Sequence, residues 1–409
     1  MTGTTATEPP RRQRVLFFAE AVTLAHVARP LVLAAGLPPQ EHECVVACHS
    51  RYERFVHSER WTHTHLDSIP GEQFVRALAQ GSPVYDTPTL RRYVQEDLAL
   101  IERHRPDVVV GDFRLSLSVS ARLAGVPYAT VTNAYWSPHY ARPGFPLPVL
   151  PMTRFMPIML ARQLFRLAQP VAFAMHCRPV NQLRREHGLP SLGHDLRRVY
   201  TDADLTLYAD DEALFPTRGR PATHHYLGPL LWSPPVPLPA WWNTLPADHP
   251  VVYVTLGSSG DPALAARVVD ALAALDVTVI AAMAGAAARP APAPNVFVAD
   301  YLPGLEAARR ACLVVCNGGS MTTQQALAAG VPVLGIASNM DQFLNMGALE
   351  AAGLGVCLRA DRCGARAVAE TAGRLIAKGR ARVGATGSAT GWPGGRPPGW
   401  PAPPPSAAG

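Results

Sequence analysis

Two glycines and a run of hydroxyls stand between an apolar strand and a helix start in LVVCNGGSMTTQQALAAGVPVLGI, residues 313–336. Gly318 and Gly319 let backbone come close to a ligand. Beyond them the first helical N–H groups point outward, with the positive end of the helix dipole behind them. Ser320, Thr322 and Thr323 add hydroxyl donors. That chemistry suits an anion, phosphate first, although the fragment alone reads equally as a plain tight turn. A second candidate lies near the other end of the chain. His26, in TLAHVARP, follows the first strand, and Asp112 closes the strand of VVVGDF. A histidine titrates near neutrality and can take a proton from an alcohol, while a buried carboxylate can fix its tautomer. Each has a bland alternative: His26 as a cap or packed core residue, Asp112 as a helix cap. Glu20 and Thr23 lie beside His26 and could share its role.

Such groups need elements that bring them to a common edge. VLFFAEA (15–21) opens an α/β pattern, followed by the helix-like HVARPLVLAAGL and the strand HECVVAC. RPDVVVGDF and PYATVTN add short buried strands with helices between, which indicates a parallel sheet covered on both faces. Residues 141–195 break this rhythm: they are proline-rich, then helical, rich in Met and Phe and dotted with arginines. They read as helices packed on the sheet or as a pliable apolar wall for a hydrophobic ligand or a membrane interface. The segment 230–250 has the look of a stiff linker. A second series then runs through PVVYVTLGSSG, VTVIAAM, NVFVADYLP, CLVVCNGG and VPVLGIA. The expected domains are 14–229 and 251–380, with tails over 1–13 and 381–409. Doubly wound sheets bind ligands beyond the carboxyl ends of their strands, so facing edges would form one shared cleft.

Bulk properties fit this picture. The chain has 409 residues, enough for two cores, and its 48% hydrophobic and 17% charged content is that of a globular protein. The net charge of +6 is spread without a Lys/Arg block, which argues against a nucleic-acid footprint and leaves a weak attraction for anionic small molecules or a membrane surface. Seven cysteines show no C-x-x-C spacing, and the pairs Cys44/Cys48 and Cys312/Cys316 read as buried thiols rather than metal ligands. With no apolar leader and no run long enough to cross a bilayer, the expectation is a reduced, cytoplasmic protein. The Gly/Pro/Trp-rich end, ARVGATGSATGWPGGRPPGWPAPPPSAAG, has no helical period and is expected to be disordered.

The order Gly-Gly-x-x-Thr-Thr, Gln-Ala-Leu, Gly-Val-Pro, Asp-Gln-x-x-Asn over residues 318–345 resembles the nucleotide-sugar signature of the inverting glycosyltransferases of family 1, in their bacterial natural-product, macrolide-type branch. The resemblance covers roughly residues 13–378. It implies the GT-B fold, two doubly wound Rossmann-like domains facing a central cleft. It also implies a hexosyltransferase that uses a UDP- or TDP-sugar as co-substrate, with no cofactor and no metal. The family's His-Gly-Gly is Asn317-Gly318-Gly319 here, which places the donor diphosphate at this helix start with Ser320 and Thr322 close by. The ribose-binding Glu is Gln325, and Asp341 with Gln342 matches the pair that grips the sugar hydroxyls. In DYLPG, Tyr301 would stack on the base and the Leu302 backbone would meet its edge. In TLGSSG, Ser258 and Ser259 would face the phosphates. His26 falls where the family has its general base, with Ala25 in place of Gly and Pro30 one residue further on, and Asp112 matches the partner carboxylate.

Asn for His keeps a hydrogen-bond donor but cannot become cationic, and Gln for Glu weakens the hold on a ribose diol by about 1 kcal/mol per degraded hydrogen bond. A TDP-sugar would suffer less than a UDP-sugar. The expected reaction is one in-line displacement onto a hydroxyl of a lipophilic acceptor, with His26 as base and inversion at the anomeric carbon. The rival expectations are a weak or inactive relative that serves as an auxiliary subunit, and a nucleotide-sugar epimerase of the same architecture. Enzymes of this type usually end in a helix crossing back to the N-terminal domain, so the tail raises the expectation of a truncated or frame-shifted end. Partners beyond donor and acceptor reduce to a peripheral membrane contact; the oligomeric state is unreadable.

Overall fold

The computed structural model describes residues 11–386, apart from Pro143, Ala247, Ser258, Ser259, Ala286 and Ala287. Two parallel sheets carry the chain. The first holds β1 (Gln13–Ala19), β2 (His42–Cys48), β3 (Trp61–His65), β4 (Val108–Asp112), β5 (Tyr128–Thr132), β6 (Leu205–Tyr208) and β7 (His224–Tyr226), in the order 3-2-1-4-5-6-7. The second holds β8 (Val251–Thr255), β9 (Thr278–Ala282), β10 (Val296–Ala299), β11 (Leu313–Cys316), β12 (Val333–Ala337) and β13 (Gly355–Arg359), in the order 10-9-8-11-12-13. This is the GT-B architecture.

The two-residue period of a strand sorts each sheet's side chains onto two covered faces. Along β1, Val15, Phe17 and Ala19 enter one core while Leu16 and Phe18 enter the other. Along β8, Val251 and Tyr253 face one core and Val252 and Val254 the second. Burial on both sides is why these strands read as unbroken apolar runs. In both sheets the winding reverses beside the first strand, between β1 and β4 and between β8 and β11. Crevices at the carboxyl ends of such strands are where this class of fold receives ligands.

Three expectations need adjustment. The segment 230–250 is no bare linker: it forms a short helical turn over Ala240–Thr244 and buries Leu230, Trp242 and Leu245. The last helix runs Ala365–Thr386, past residue 380, where a tail was expected to begin; the rest of that tail, 387–409, lies outside the described residues, as do Ser258 and Ser259. The 141–195 region contains one 29-residue helix, Ile158–Glu186, with Pro170 and Pro179 inside it. Among the described residues no helix is long and apolar enough to cross a membrane.

Candidate active site

A cavity of about 560 Å³ lies between the two sheets' carboxyl edges. His26 and Asp112 line it from one domain. From the other come Tyr301, Leu302, Asn317, Gly319, Ser320, Thr322, Gln325, Asp341 and Gln342. Of the described residues expected to hold a donor, Gly318 alone does not line it.

β1 delivers the histidine. After Ala19 the chain turns and starts the helix Leu24–Gly36, with His26 in its first turn. Ala19 is in register with Asp112 on β4, so the switch point itself brings the two side chains together. His26 Nδ1 lies 2.8 Å from Asp112 Oδ1. Arg29 Nη2 also lies 3.0 Å from Nδ1. In the tautomer whose Nδ1–H donates to the carboxylate, the shorter contact, Nε2 is the nitrogen left to accept a proton. The ring is held on its faces as well. Phe113 stacks on it at 4.9 Å between centroids and 18° between planes, and Phe74 meets it edge-on at 6.5 Å. To reach that position Phe113 takes φ = 60°, a left-handed conformation that a bulky side chain rarely adopts.

Asp112 is fully buried and has a second partner that sequence reasoning missed. Arg29 donates to it through Nε at 2.6 Å and Nη2 at 2.7 Å, and to Asn133 Oδ1 at 2.9 Å. Burial weighs against the Arg29 charge, but the adjacent Asp112 carboxylate more than offsets it and holds the guanidinium above its usual range. Arg29 sits three residues after His26 on one helix face, a spacing that was there to be read. Glu20 does not share the site: it turns to Arg114 at 2.9 Å, in a buried group with Asp97 and Tyr93.

On the opposite side the opening motif is more self-engaged than expected. Gly318 takes φ = 82°, its N–H points to Cys316 Sγ at 3.3 Å, and a Cβ there would lie 2.6 Å from Met346 Cγ. The Gly319 N–H donates to Asn317 Oδ1 at 3.0 Å. The glycine amides are therefore engaged internally; the amides of Ser320, Met321 and Thr322, at the start of the helix Ser320–Ala328, are the ones that helix geometry leaves without an intrahelical acceptor. Thr323 also turns inward, donating to the Ser320 carbonyl and accepting from Asn345. Ser320 and Thr322 stay at the cavity wall.

Three donor-side residues are tied down in ways the sequence reading did not foresee. Gln325 donates through Nε2 to the Trp232 carbonyl, so only its Oε1 remains for a ligand. Gln342 Oε1 accepts from Ser338 and Asn339 and completes a capping box for its own helix, Met340–Ala351, so its Nε2 is the end left for the cavity. Asp341 Oδ1 accepts from Trp136 Nε1 at 2.8 Å, a bond that crosses from one domain to the other. One face of Tyr301 is covered by the Arg54 guanidinium at 4.6 Å.

Residues 266–390 match the family described as "Erythromycin biosynthesis protein CIII-like, C-terminal domain". A "PGL/p-HBAD biosynthesis glycosyltransferase" of Mycobacterium tuberculosis is 54% identical over 373 residues, covering 91% of this chain and 87% of that one. The chain belongs to the family 1 GT-B glycosyltransferases. A "PGL/p-HBAD biosynthesis rhamnosyltransferase" of Mycobacterium bovis is 53% identical to this glycosyltransferase over 90% of its chain and 82% of the relative's. Among solved structures, "Spinosyn Rhamnosyltransferase SpnG complexed with thymidine diphosphate" superposes with a TM-score of 0.62 at 19% identity, covering 89% of this glycosyltransferase and 92% of that chain, a likeness of fold.

Much of the wall near His26 is apolar, although Gln169 and His176 also line the cavity. Phe74, Phe113, Met152, Phe165, Phe173 and Tyr200 surround the His26 side. At the domain boundary Asp210 accepts from Asn133 and from the Ala134 amide, and burial raises its carboxyl to about 6.

Proposed function

We propose that this glycosyltransferase moves a hexose from a nucleoside diphosphate sugar to a hydroxyl of a lipophilic acceptor, with inversion at the anomeric carbon. The observation that carries the reading is the His26–Asp112–Arg29 array, set across one cavity from the start of the Ser320 helix. His26 Nε2 takes the acceptor proton while the acceptor oxygen bonds to the anomeric carbon. The bond from that carbon to the diphosphate oxygen breaks, and the bonding pair leaves with the diphosphate. Asp112 stabilises the imidazolium. The growing phosphate charge meets the amides of Ser320, Met321 and Thr322 and the positive end of their helix.

A TDP-sugar is the favoured donor. Gln325 offers a single acceptor, Oε1, and a deoxyribose has one hydroxyl fewer to satisfy. The name of a 53%-identical relative favours rhamnose as the sugar, and a solved neighbour is complexed with thymidine diphosphate. The acceptor's lipophilic character is supported by the aromatic wall around His26.

The test pairs TDP- and UDP-hexoses with a hydroxylated alkyl aromatic and reads the anomeric configuration of the product by NMR. Inverted product, faster with TDP-rhamnose than with UDP-glucose, is expected. Retained configuration, or nucleotide-sugar turnover undiminished in His26→Ala, would overturn the mechanism.

A further inference from the structure

The helix Ile158–Glu186 has two different apolar sides. Inwardly, Phe165 and Phe173 are buried and line the cavity. Outwardly, Leu160, Leu164, Leu167, Val171 and Met175 are 51%, 42%, 78%, 63% and 56% exposed. At 3.6 residues per turn these five fall within an arc of about 80°. Phe155, 87% exposed just before the helix, adds to them. Isolated surface leucines need no explanation, but a contiguous row of this length marks a contact surface.

Charge indicates what the row contacts. Arg178 and Arg185 continue the same arc at its C-terminal end, and both are exposed. From Arg154 to Arg185 the sequence contains six arginines and no Asp or Glu. Glu186, which ends the helix, is engaged by Arg91. An apolar row that runs into cations is the composition of helices that lie in an anionic lipid interface. The row is also continuous with the active site: Leu164 and Ala168 are exposed and line the cavity as well.

We infer that this face seats on an anionic phospholipid surface, so that a membrane-held acceptor passes its hydroxyl past Leu164 and Ala168 toward His26. The inference rests on the lipophilic acceptor of the proposed function. Leucine and valine side chains enter the acyl boundary, the arginines meet lipid phosphates, and the acceptor need not leave the bilayer wholly to react.

Full-length protein is floated with phosphatidylcholine vesicles and with phosphatidylglycerol vesicles, at low and high salt. The wild type is expected to prefer phosphatidylglycerol by about tenfold or more, a preference that salt removes. L167E/V171E, neither position lining the cavity, loses vesicle binding by about tenfold or more, and R178Q/R185Q loses the anionic preference. Both variants keep wild-type transfer to a detergent-soluble short-chain acceptor, which shows that they are folded. Equal vesicle binding by L167E/V171E and wild type overturns the inference. So does a wild type that ignores vesicles, whether monomeric or in a dimer that L167E/V171E dissociates on light scattering. Vesicle binding as expected, with no transfer to any hydroxyl acceptor, would instead remove the proposed function and leave the lipid face standing.

Discussion

Replacing Asp112 by Asn separates the two duties of that carboxylate. It is fully buried, accepts from His26 at 2.8 Å, and pairs with Arg29 through bonds of 2.6 and 2.7 Å. In the variant the guanidinium, which can only donate, claims the amide oxygen, so the amide N–H₂ turns toward His26 Nδ1. That nitrogen must then accept, the ring proton moves to Nε2, and the nitrogen facing the acceptor can no longer take a proton. General-base catalysis contributes about 10²–10⁴-fold, so kcat/KM should fall by that factor, or about 3–5 kcal/mol in the transition state. Stability falls for a different reason. Arg29, 6% exposed, is left with neutral partners alone, the introduced amide oxygen and Asn133, and stranding a buried charge costs about 3–5 kcal/mol. Adding Arg29→Met removes the stranded charge and should recover about 2 kcal/mol or more without recovering rate. The assay is nucleotide release at saturating donor, beside urea denaturation of both variants. An Asp112→Asn enzyme within about threefold of wild type in kcat/KM would refute the base assignment. A double variant no more stable than the single would refute the role given to Arg29.

Gly318→Ala forces a side chain into φ = 82° and against Met346, so stability should drop by about 1–3 kcal/mol, with weaker TDP binding by calorimetry; a variant melting with the wild type counts against it. Gln325→Glu restores the family's usual residue yet should lose about 1–3 kcal/mol of stability, because a carboxylate replaces the donor to the Trp232 carbonyl; unchanged melting with tighter donor binding would contradict this. Asp210 has its carboxyl raised to about 6 by burial, against about 3.8 unfolded, so the stability it contributes is complete below the unfolded value and lost as pH rises through the folded one. Asp210→Asn removes that dependence. Its stability relative to wild type should therefore rise by about 3 kcal/mol from about pH 4 to about pH 7, and a constant difference in urea midpoints would refute the effect.

Much of the scaffold was legible because parallel strands buried on both faces leave short unbroken apolar runs, as in VLFF and LVVC, whose length and flanking turn residues separate them from buried helix. Pairing His26 with Asp112 came from the family resemblance, since strand ends alone left each open as a cap; the structure supplies the switch point between β1 and β4 that joins them. What stayed hidden were choices of partner. Glu20 sits near His26 in sequence, but its cation, Arg114, is 94 residues away. No local pattern announces that Phe113 will accept a left-handed backbone to stack on the imidazole. The capping role of Gln342 was readable: Asn339 three residues earlier is a helix-start signature, and the family likeness drew attention to the sugar instead.

The two amides that replace charged family residues have a structural rationale that the sequence comparison alone misread as loss. Asn317 must accept from the Gly319 N–H, and Gln325 must donate to the Trp232 carbonyl. A carboxylate at 325 has no proton for that carbonyl at neutral pH, and an imidazole at 317 could accept only in one tautomer. An amide carries a fixed donor and a fixed acceptor, so each holds backbone with one end and keeps the other end oriented. Gly304 shows the geometry is tight: a Cβ there would lie 2.5 Å from Gln325 Oε1. The acceptor end of Gln325 is thus seated where a neighbouring side chain has been left out. If that oxygen meets the ribose, Gly304→Ala should raise the donor KM by displacing it while leaving kcat near wild type, since the His26 array lies in the other domain. A fall in kcat with unchanged KM would show that the oxygen has no part in holding the donor.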